Sequence, residues 1–496
     1  MTRTAPLLEG PSVNPDPALA ADLRTGRRPV TGHDDPDGDL RVFALQYRID
    51  LAHAESIETY RTAMRALMDE LVVPHLVPGR PTLVVYPEAV GLPVLAIGER
   101  GRRIRELAAG PVPAPGPDGM PATLMAGMSG LAEASIDRIG AYMGLFGPEA
   151  IDIRTIVHLA GTDTAARAFS QTFSDIARDY GVWVVAGNYQ PTYRETSDDS
   201  EVRAFGIPGS RVAYVATTPR VTNATFLWAP HEVDPGAPAG ETNLVMRNEK
   251  IPLTEMELEL LGLAEGPAEG DEARENAGWA DVAGFRVGFA TSLPAFAYGY
   301  PFGARPADFD AFADLRATYA AAQDALGVDV MIQADANPGP WAAPVASGAW
   351  QPLEWMASTW RAVADPTVSF RYNVTPMMTG NLLDLMFDGQ SSITARGPVA
   401  ELVESRHFVG NAASGPDDTA EYDMYAGAKP EFLAVSEWVS PDAPREQLMA
   451  VTAALAPGSG SELENGYVET AIYADLRLPS TRPGTGGTGG AERGEG

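Results

Sequence analysis

The chain is predicted to be an α/β protein, with sheets flanked by helices, and three observations carry that prediction. Short β-rich runs recur along it, with apolar residues at helical spacing between many of them. Some runs are apolar at successive positions, as in strands covered on both faces. Apolar residues make up 45% of the 496, ample for a large buried core. The length fits two or three average domains, although large α/β enzymes often hold as much in one.

Residues 1 to about 40 are rich in Pro, Gly and Asp and are predicted to be a disordered arm. Residues 41–47 follow as a strand, and 53–73 as a helix with Ile57, Tyr60, Met64, Leu67 and Leu71 on one face. Thr82, Leu83, Val84, Val85 and Tyr86 form a strand apolar on both faces. Residues 165–179 read as a helix that feeds a strand at 181–188, with strands at 212–217 and 222–228 beyond it. Strands at 285–291, 328–334 and 368–372 complete a central set, separated by helices at 307–326 and 353–364. A late strand at 466–476 must return to the core. Two stretches read as insertions into a domain spanning 41–478. Residues 91–160 hold one amphipathic helix, 120–146, expected to pack on the core; residues 396–460 are irregular and acidic and expected to decorate the surface. Residues 479–496 read as a disordered Gly/Thr-rich tail. Its Gly484-Thr485-Gly486-Gly487-Thr488-Gly489 matches a dinucleotide-binding pattern by letter, but lacks the strand and helix that make the pattern work.

Composition limits the partners and the chemistry. The chain carries 36 basic and 66 acidic side chains, a formal charge of −30, which repels nucleic acid and anionic membrane surfaces. No apolar run approaches the ~20 residues of a membrane span. The first fourteen residues hold only the short apolar patch Ala5-Pro6-Leu7-Leu8, unlike a signal peptide, so a cytoplasmic protein is expected. There is no cysteine, which removes disulfides, thiolate metal sites and every cysteine nucleophile. No Gly-x-Ser-x-Gly elbow and no His-Glu-x-x-His occur. The six histidines (33, 53, 75, 158, 231 and 407) lack ligand spacing, and no metal or other cofactor is expected.

Three places set a reactive side chain at a strand end. Glu88 follows Tyr86-Pro87, where a dry setting would raise a carboxyl's pKa toward general-base work. Lys250 lies in the extended segment Asn248 to Glu255, suited to stabilising a developing oxyanion, with the carboxylate of Glu255 five residues on. The strand Phe285-Arg286-Val287-Gly288-Phe289-Ala290 ends in the hydroxyls of Thr291 and Ser292. Each residue taken singly also fits an ordinary turn or surface position.

In this order and with these flanks, the three segments resemble the nitrilase, or carbon–nitrogen hydrolase, superfamily. Leu83 to Glu88 is similar to its glutamate motif, and Arg247 to Leu253 to its lysine motif, with Glu255 near the family's second glutamate. The stretches Tyr180 to Asn188, Phe387 to Ile393 and Glu464 to Leu476 resemble noncatalytic strands of the family. The resemblance implies a four-layer α-β-β-α sandwich, a homodimer or larger homo-oligomer, and a small amide, nitrile or ester as substrate. It implies Glu88 as base and Lys250 as oxyanion stabiliser. The departure is at the nucleophile, where Ser292, or Thr291 in a register shifted by one, stands in place of the family's cysteine.

That change is costly. A thiol has a pKa of ~8.5, whereas water's ~15.7 bounds the serine hydroxyl, a gap of at most roughly 7 units, or up to roughly 10 kcal/mol. Concerted proton transfer avoids part of it. Two readings follow: a hydrolase working through Ser292, or a catalytically lapsed relative that binds a small polar ligand or a protein partner.

Overall fold

The computed structural model describes residues 29–113, 121–344, 350–397, 431–438 and 443–478. Among them the chain forms a mixed α/β fold with three sheets. The largest runs, from one edge to the other, Thr31–His33, Thr470–Leu476, Leu40–Arg48, Thr82–Val85, Trp183–Gln190, Thr222–Trp228 and Leu244–Glu249. Its three middle strands, Leu40–Arg48, Thr82–Val85 and Trp183–Gln190, are mutually parallel. A short hairpin, Met378–Leu382 with Leu385–Phe387, is attached through Tyr47 and Arg48. The second sheet runs Glu431–Val435, Ser392–Ala395, Tyr372–Thr375, Val330–Ile332, Phe285–Phe289 and Trp279–Val282, again with three parallel strands in the middle. The third is the two-stranded Tyr193–Thr196 and Ala213–Ala216.

Side chains that alternate along each strand serve two different cores. Val42, Ala44, Leu83, Val85 and Val185 of the first sheet pack against Phe285, Val287, Phe289, Val330 and Ile332 of the second. The intervening Phe43, Leu45, Val84, Tyr86 and Val184 face the other way, onto Tyr60, Met64, Phe169 and Phe173 of the helices Ile57–Leu67 and Gln171–Tyr180 and the turn before the latter. On its far side the second sheet packs Met331 with Leu315, Tyr319, Ala322 and Ala362 of the helices Leu315–Ala325 and Gln351–Ala364. Burial on both faces is what makes these strands read as continuous apolar runs.

Several expectations need correction. The 120–146 helix is two helices, Ala122–Glu133 and Ile136–Phe146, and Leu124, Leu131, Ile139 and Tyr142 pack both onto the first sheet's core. The helix expected at 307–326 starts only at Leu315, where Asp314 caps it by accepting a hydrogen bond from the Arg316 amide at 3.0 Å. The arm expected over 1–40 is structured at its end, since Thr31–His33 pairs with Ile472–Ala474; residues 1–28 lie outside the described residues. The stretch 396–460 is not surface decoration throughout. Glu431–Val435 is the edge strand of the second sheet, and Phe432, Leu448, Val451 and Leu455 are buried, while 398–430 and the 479–496 tail lie outside the described residues.

The return of the final strand is held by buried charge. Asp475 accepts from Arg41 Nε at 2.8 Å and Nη2 at 2.7 Å and pairs with Arg80 at 2.6 Å. Arg41 and Asp475 are adjacent across the Leu40–Arg48 and Thr470–Leu476 ladder. Asp475→Ala leaves the Arg41 guanidinium buried without its bidentate partner, and is expected to cost about 3–5 kcal/mol in urea unfolding.

Candidate active site

The parallel strands of both sheets deliver reactive side chains from their C-terminal ends. Tyr86 prolongs the pairing of Thr82–Val85 by donating its amide to Val185 O at 2.9 Å. Pro87 then turns the chain so that Glu88 is buried, with 2% exposure. Lys250 follows the strand Leu244–Glu249 directly and is buried to the same degree; its amide donates to Asn223 O at 2.9 Å. Glu257 approaches from the next turn. Asn223, in the strand Thr222–Trp228, completes the group.

The contacts are close and mutual. Lys250 Nζ donates to Glu88 Oε1 at 2.8 Å and lies 3.0 and 2.9 Å from the two oxygens of Glu257. Asn223 Nδ2 donates to Oε1 of both glutamates at 2.6 Å. Glu88 Oε2 accepts from the Ala336 amide of the second sheet's side at 3.1 Å. Glu257 Oε2 accepts from the amide and hydroxyl of Thr254 at 2.8 and 2.9 Å.

Burial sets the electrostatics. It raises the Glu88 pKa, and the charge of Glu257 adds to the rise while Lys250 and Asn223 oppose it. For Glu257, burial also works upward, but Lys250, the Thr254 amide and Asn223 outweigh it and hold the pKa below the ordinary value. Burial works to strip the Lys250 proton, and the two carboxylates overcome that, so its pKa is raised and the ammonium is kept.

Ser292 comes from the second sheet. It follows the strand Phe285–Phe289 with φ 58° and ψ −115°, a left-handed conformation rare outside glycine, and it opens the short turn Leu293–Phe296. Backbone strain of this kind at a strand-to-turn junction is found at functional sites, where it sets the direction of a side chain. Thr291 is committed elsewhere: its hydroxyl is 2.8 Å from that of Thr225 in the first sheet. Ser292, Glu88, Lys250 and Glu257 line one cavity, and Thr291 does not.

The cavity measures about 310 Å³, and its walls are mostly apolar: Leu92, Leu124, Met128, Leu260, Trp355 and Phe387 are among them. His158 also lines it. Both ring nitrogens of His158 are buried without hydrogen-bond partners, and burial, with the nearby Arg100 charge, lowers its pKa to about 4. It is neutral at neutral pH and adds no charge to the wall.

Of the residues singled out in the sequence, the structure gathers Glu88, Lys250 and Ser292, and leaves Glu255 out. Glu255 is exposed, and Glu257 is the second carboxylate on Lys250. A signal for Glu257 was present, because Thr254-x-x-Glu257 is a capping box: the Glu257 carboxylate takes the Thr254 amide, and the Glu257 amide donates to Thr254 Oγ1 at 3.3 Å. Sequence reasoning also missed Asn223 and Asp335. Asp335 is fully buried three residues beyond the strand Val330–Ile332. Among the described residues, no three His, Asp or Glu side chains are grouped to hold a metal ion, and no helix is long and apolar enough to cross a membrane.

No family model matches the chain, and no curated protein sequence matches it. Its structure is similar to nitrilase-superfamily amidases and carbon–nitrogen hydrolases. An amidase from Nesterenkonia sp. shares 13% identity over 73% of this chain and 84% of its own, with a TM-score of 0.37. A mutant of that amidase, described as a member of the nitrilase superfamily, shares 13% over 84% and 95%, also at 0.37. A carbon–nitrogen hydrolase from Helicobacter pylori G27 shares 11% over 72% and 82%, at 0.38. These values are too low to transfer the role of any residue, and the roles rest on the chain's own geometry.

Lys250 is the cation that lets two carboxylates share a dry site, so Lys250→Met is expected to destabilise the fold by about 3–5 kcal/mol at pH 8. Lys250 lowers the proton affinity of both Glu88 and Glu257. Without it both folded-state pKa values rise above the unfolded ones. The deficit is then smallest near pH 4 and grows as pH rises through the raised values. Urea unfolding of both proteins between pH 5 and pH 8 checks this; a deficit that shrinks as pH rises contradicts it.

Proposed function

We propose that the chain is a carbon–nitrogen hydrolase of the nitrilase superfamily, folded as a four-layer α-β-β-α sandwich, in which Ser292 stands as the nucleophile. The observation that carries this reading is convergence: Glu88 and Lys250 from one sheet and a strained Ser292 from the other open onto one cavity. Ser292 Oγ attacks the carbonyl carbon of an amide or ester while its proton passes to a neighbouring carboxylate, and the carbonyl electron pair moves onto its oxygen. Lys250, held between two carboxylates, is the cation for that oxyanion. Glu257 and Asn223 aim Lys250, and Glu88 ties it to the side of the second sheet through Ala336.

The cavity walls favour a particular substrate body. Apolar residues make up most of the lining, and Glu88, Lys250, Glu257 and Ser292 open onto the same cavity, as in a site that buries an apolar chain or ring and fixes its reacting group. A small, wholly polar ligand would leave those walls wet. The substrate is therefore an amide, nitrile or ester of an apolar acid.

Two measurements test this. Across p-nitrophenyl esters, aliphatic amides and nitriles, Ser292→Ala and Glu88→Gln are each expected to lower kcat at least 10²-fold, and Lys250→Met similarly. Turnover unchanged in Ser292→Ala removes the nucleophile from the proposal. Separately, Met128→Trp enlarges a side chain of the apolar wall and narrows the cavity, so it is expected to reduce kcat/KM for p-nitrophenyl octanoate at least tenfold while leaving p-nitrophenyl acetate nearly unchanged. Equal losses on both esters contradict the placement of the acyl chain.

A further inference from the structure

We propose that Asp335 is a catalytic residue that receives the hydroxyl proton of Ser292 as its oxygen attacks. The inference rests on the reading of Ser292 as nucleophile. It starts from strand register. Phe289 pairs with Ile332 in the parallel ladder, and the Ala290 amide continues the pairing to Ile332 O at 2.9 Å. Ser292 and Asp335 each stand three residues beyond that pair, so adjacent strands present them at the same level.

Asp335 is held in place and has an acceptor to spare. Its amide donates to Pro376 O at 3.0 Å, and its carbonyl accepts from the Met378 amide at 2.9 Å. Oδ2 accepts from Gln333 Nε2 at 3.3 Å, and Gln333 is itself fixed by Ser358 and Asn373. Oδ1 is buried with no hydrogen-bond partner. Glu88 differs: three N–H donors, from Asn223, Lys250 and Ala336, already occupy both of its oxygens. Glu88 is anchored as the counter-ion of Lys250, whereas Asp335 has room for a proton.

The surroundings suit a base. Burial holds the Asp335 pKa well above the ordinary carboxyl value and the charge of Glu88 adds to it, while Lys250, Ser292 and Gln333 pull the other way. The titratable side chains that line the cavity are Glu88, Lys250, Glu257, His158, Tyr189 and Arg154, and Asp335 is fully buried next to Ala336 of the lining. A carboxylate of raised proton affinity is a stronger base toward a hydroxyl than an ordinary one, and it works only once ionised. In the first step Asp335 takes the Oγ proton, the bond from Oγ to the carbonyl carbon forms, and the carbonyl pair moves to oxygen. Collapse restores the carbonyl, breaks the bond to the leaving nitrogen or oxygen, and returns the proton from Asp335 to that atom. Water then hydrolyses the acyl ester by the same exchange.

Diisopropyl fluorophosphate provides the test, because Ser292 displaces its fluoride and gives up the same proton without any need to know the substrate. Wild type is expected to label once, at Ser292 by peptide mass, with a rate that rises with pH along a limb above the ordinary carboxyl range. Asp335→Asn is expected to slow labelling at least 10²-fold and remove the limb, Asp335→Glu to restore part of both, and Glu88→Gln to keep the limb. Asp335→Asn labelling at the wild-type rate with the limb intact overturns the role of Asp335 and leaves Ser292 standing. Wild type that does not label, or labels as Ser292→Ala does, overturns both. Circular dichroism checks the fold of Asp335→Asn. If it does not fold, Glu88→Gln decides: a surviving limb supports Asp335, and a lost limb overturns it.

Discussion

A single ammonium group between two buried carboxylates organises this molecule. Lys250 reaches Glu88 at 2.8 Å and Glu257 at 2.9 Å, all three nearly excluded from solvent. Buried charges of this kind are costly unless each is paired and hydrogen-bonded. The fold meets that demand by bringing the ends of Thr82–Val85, Thr222–Trp228 and Leu244–Glu249 together on one point, with Asn223 bonded to both acids. The Ala336 amide on Glu88 then ties this cluster to the second sheet. The apolar layer between the sheets supplies the force that holds them together. The charge cluster determines how their strand ends are arranged, because a displacement of one strand would leave a carboxylate or the ammonium without its partner.

How much of this the sequence discloses depends on whether a signal is local. The runs Thr82–Val85 and Phe285–Phe289 are legible because most of their positions are apolar and buried on both faces. Glu88 and Ser292 are legible because each lies just past such a run, whereas Lys250 follows the more polar strand Leu244–Glu249. Thr31–His33 is a strand only because it finds the returning Ile472–Ala474, and nothing in Thr-Gly-His announces that pairing. Glu431–Val435 is hidden in the same way, since its partner Ser392–Ala395 lies far earlier in the chain. Glu255 and Glu257 differ by two positions in one turn, and proximity to Lys250 in the chain does not decide which points inward. The capping geometry at Thr254 does.

Asp335 shows the same limit within the site. From the chain alone it is an acid after an apolar run, one of 66 acidic residues on a strongly charged protein. Its meaning comes from the register of two parallel strands, which sets it level with Ser292, and from burial that leaves one oxygen without a donor. Neither can be read before the sheet is assembled.

The absent thiol gives these details a common logic. A hydroxyl is far harder to ionise than a thiol, so a site that changes one for the other must find a stronger acceptor for the proton or lose the reaction. Glu88 is poorly placed to become that acceptor, because Lys250, Asn223 and the Ala336 amide already donate to its two oxygens. Freeing one of them would leave the ammonium less well held. An acceptor of higher proton affinity must therefore lie elsewhere, in a dry place, near a carboxylate whose charge it feels and away from donors that would satisfy it. Asp335 meets each of those conditions. The apolar walls serve the same end, since an apolar substrate that fills the cavity displaces water from Ser292 and Lys250, which line it. On the proposed reading Ser292, Asp335 and the apolar cavity act together to make a hydroxyl serve where a thiol would ionise more readily.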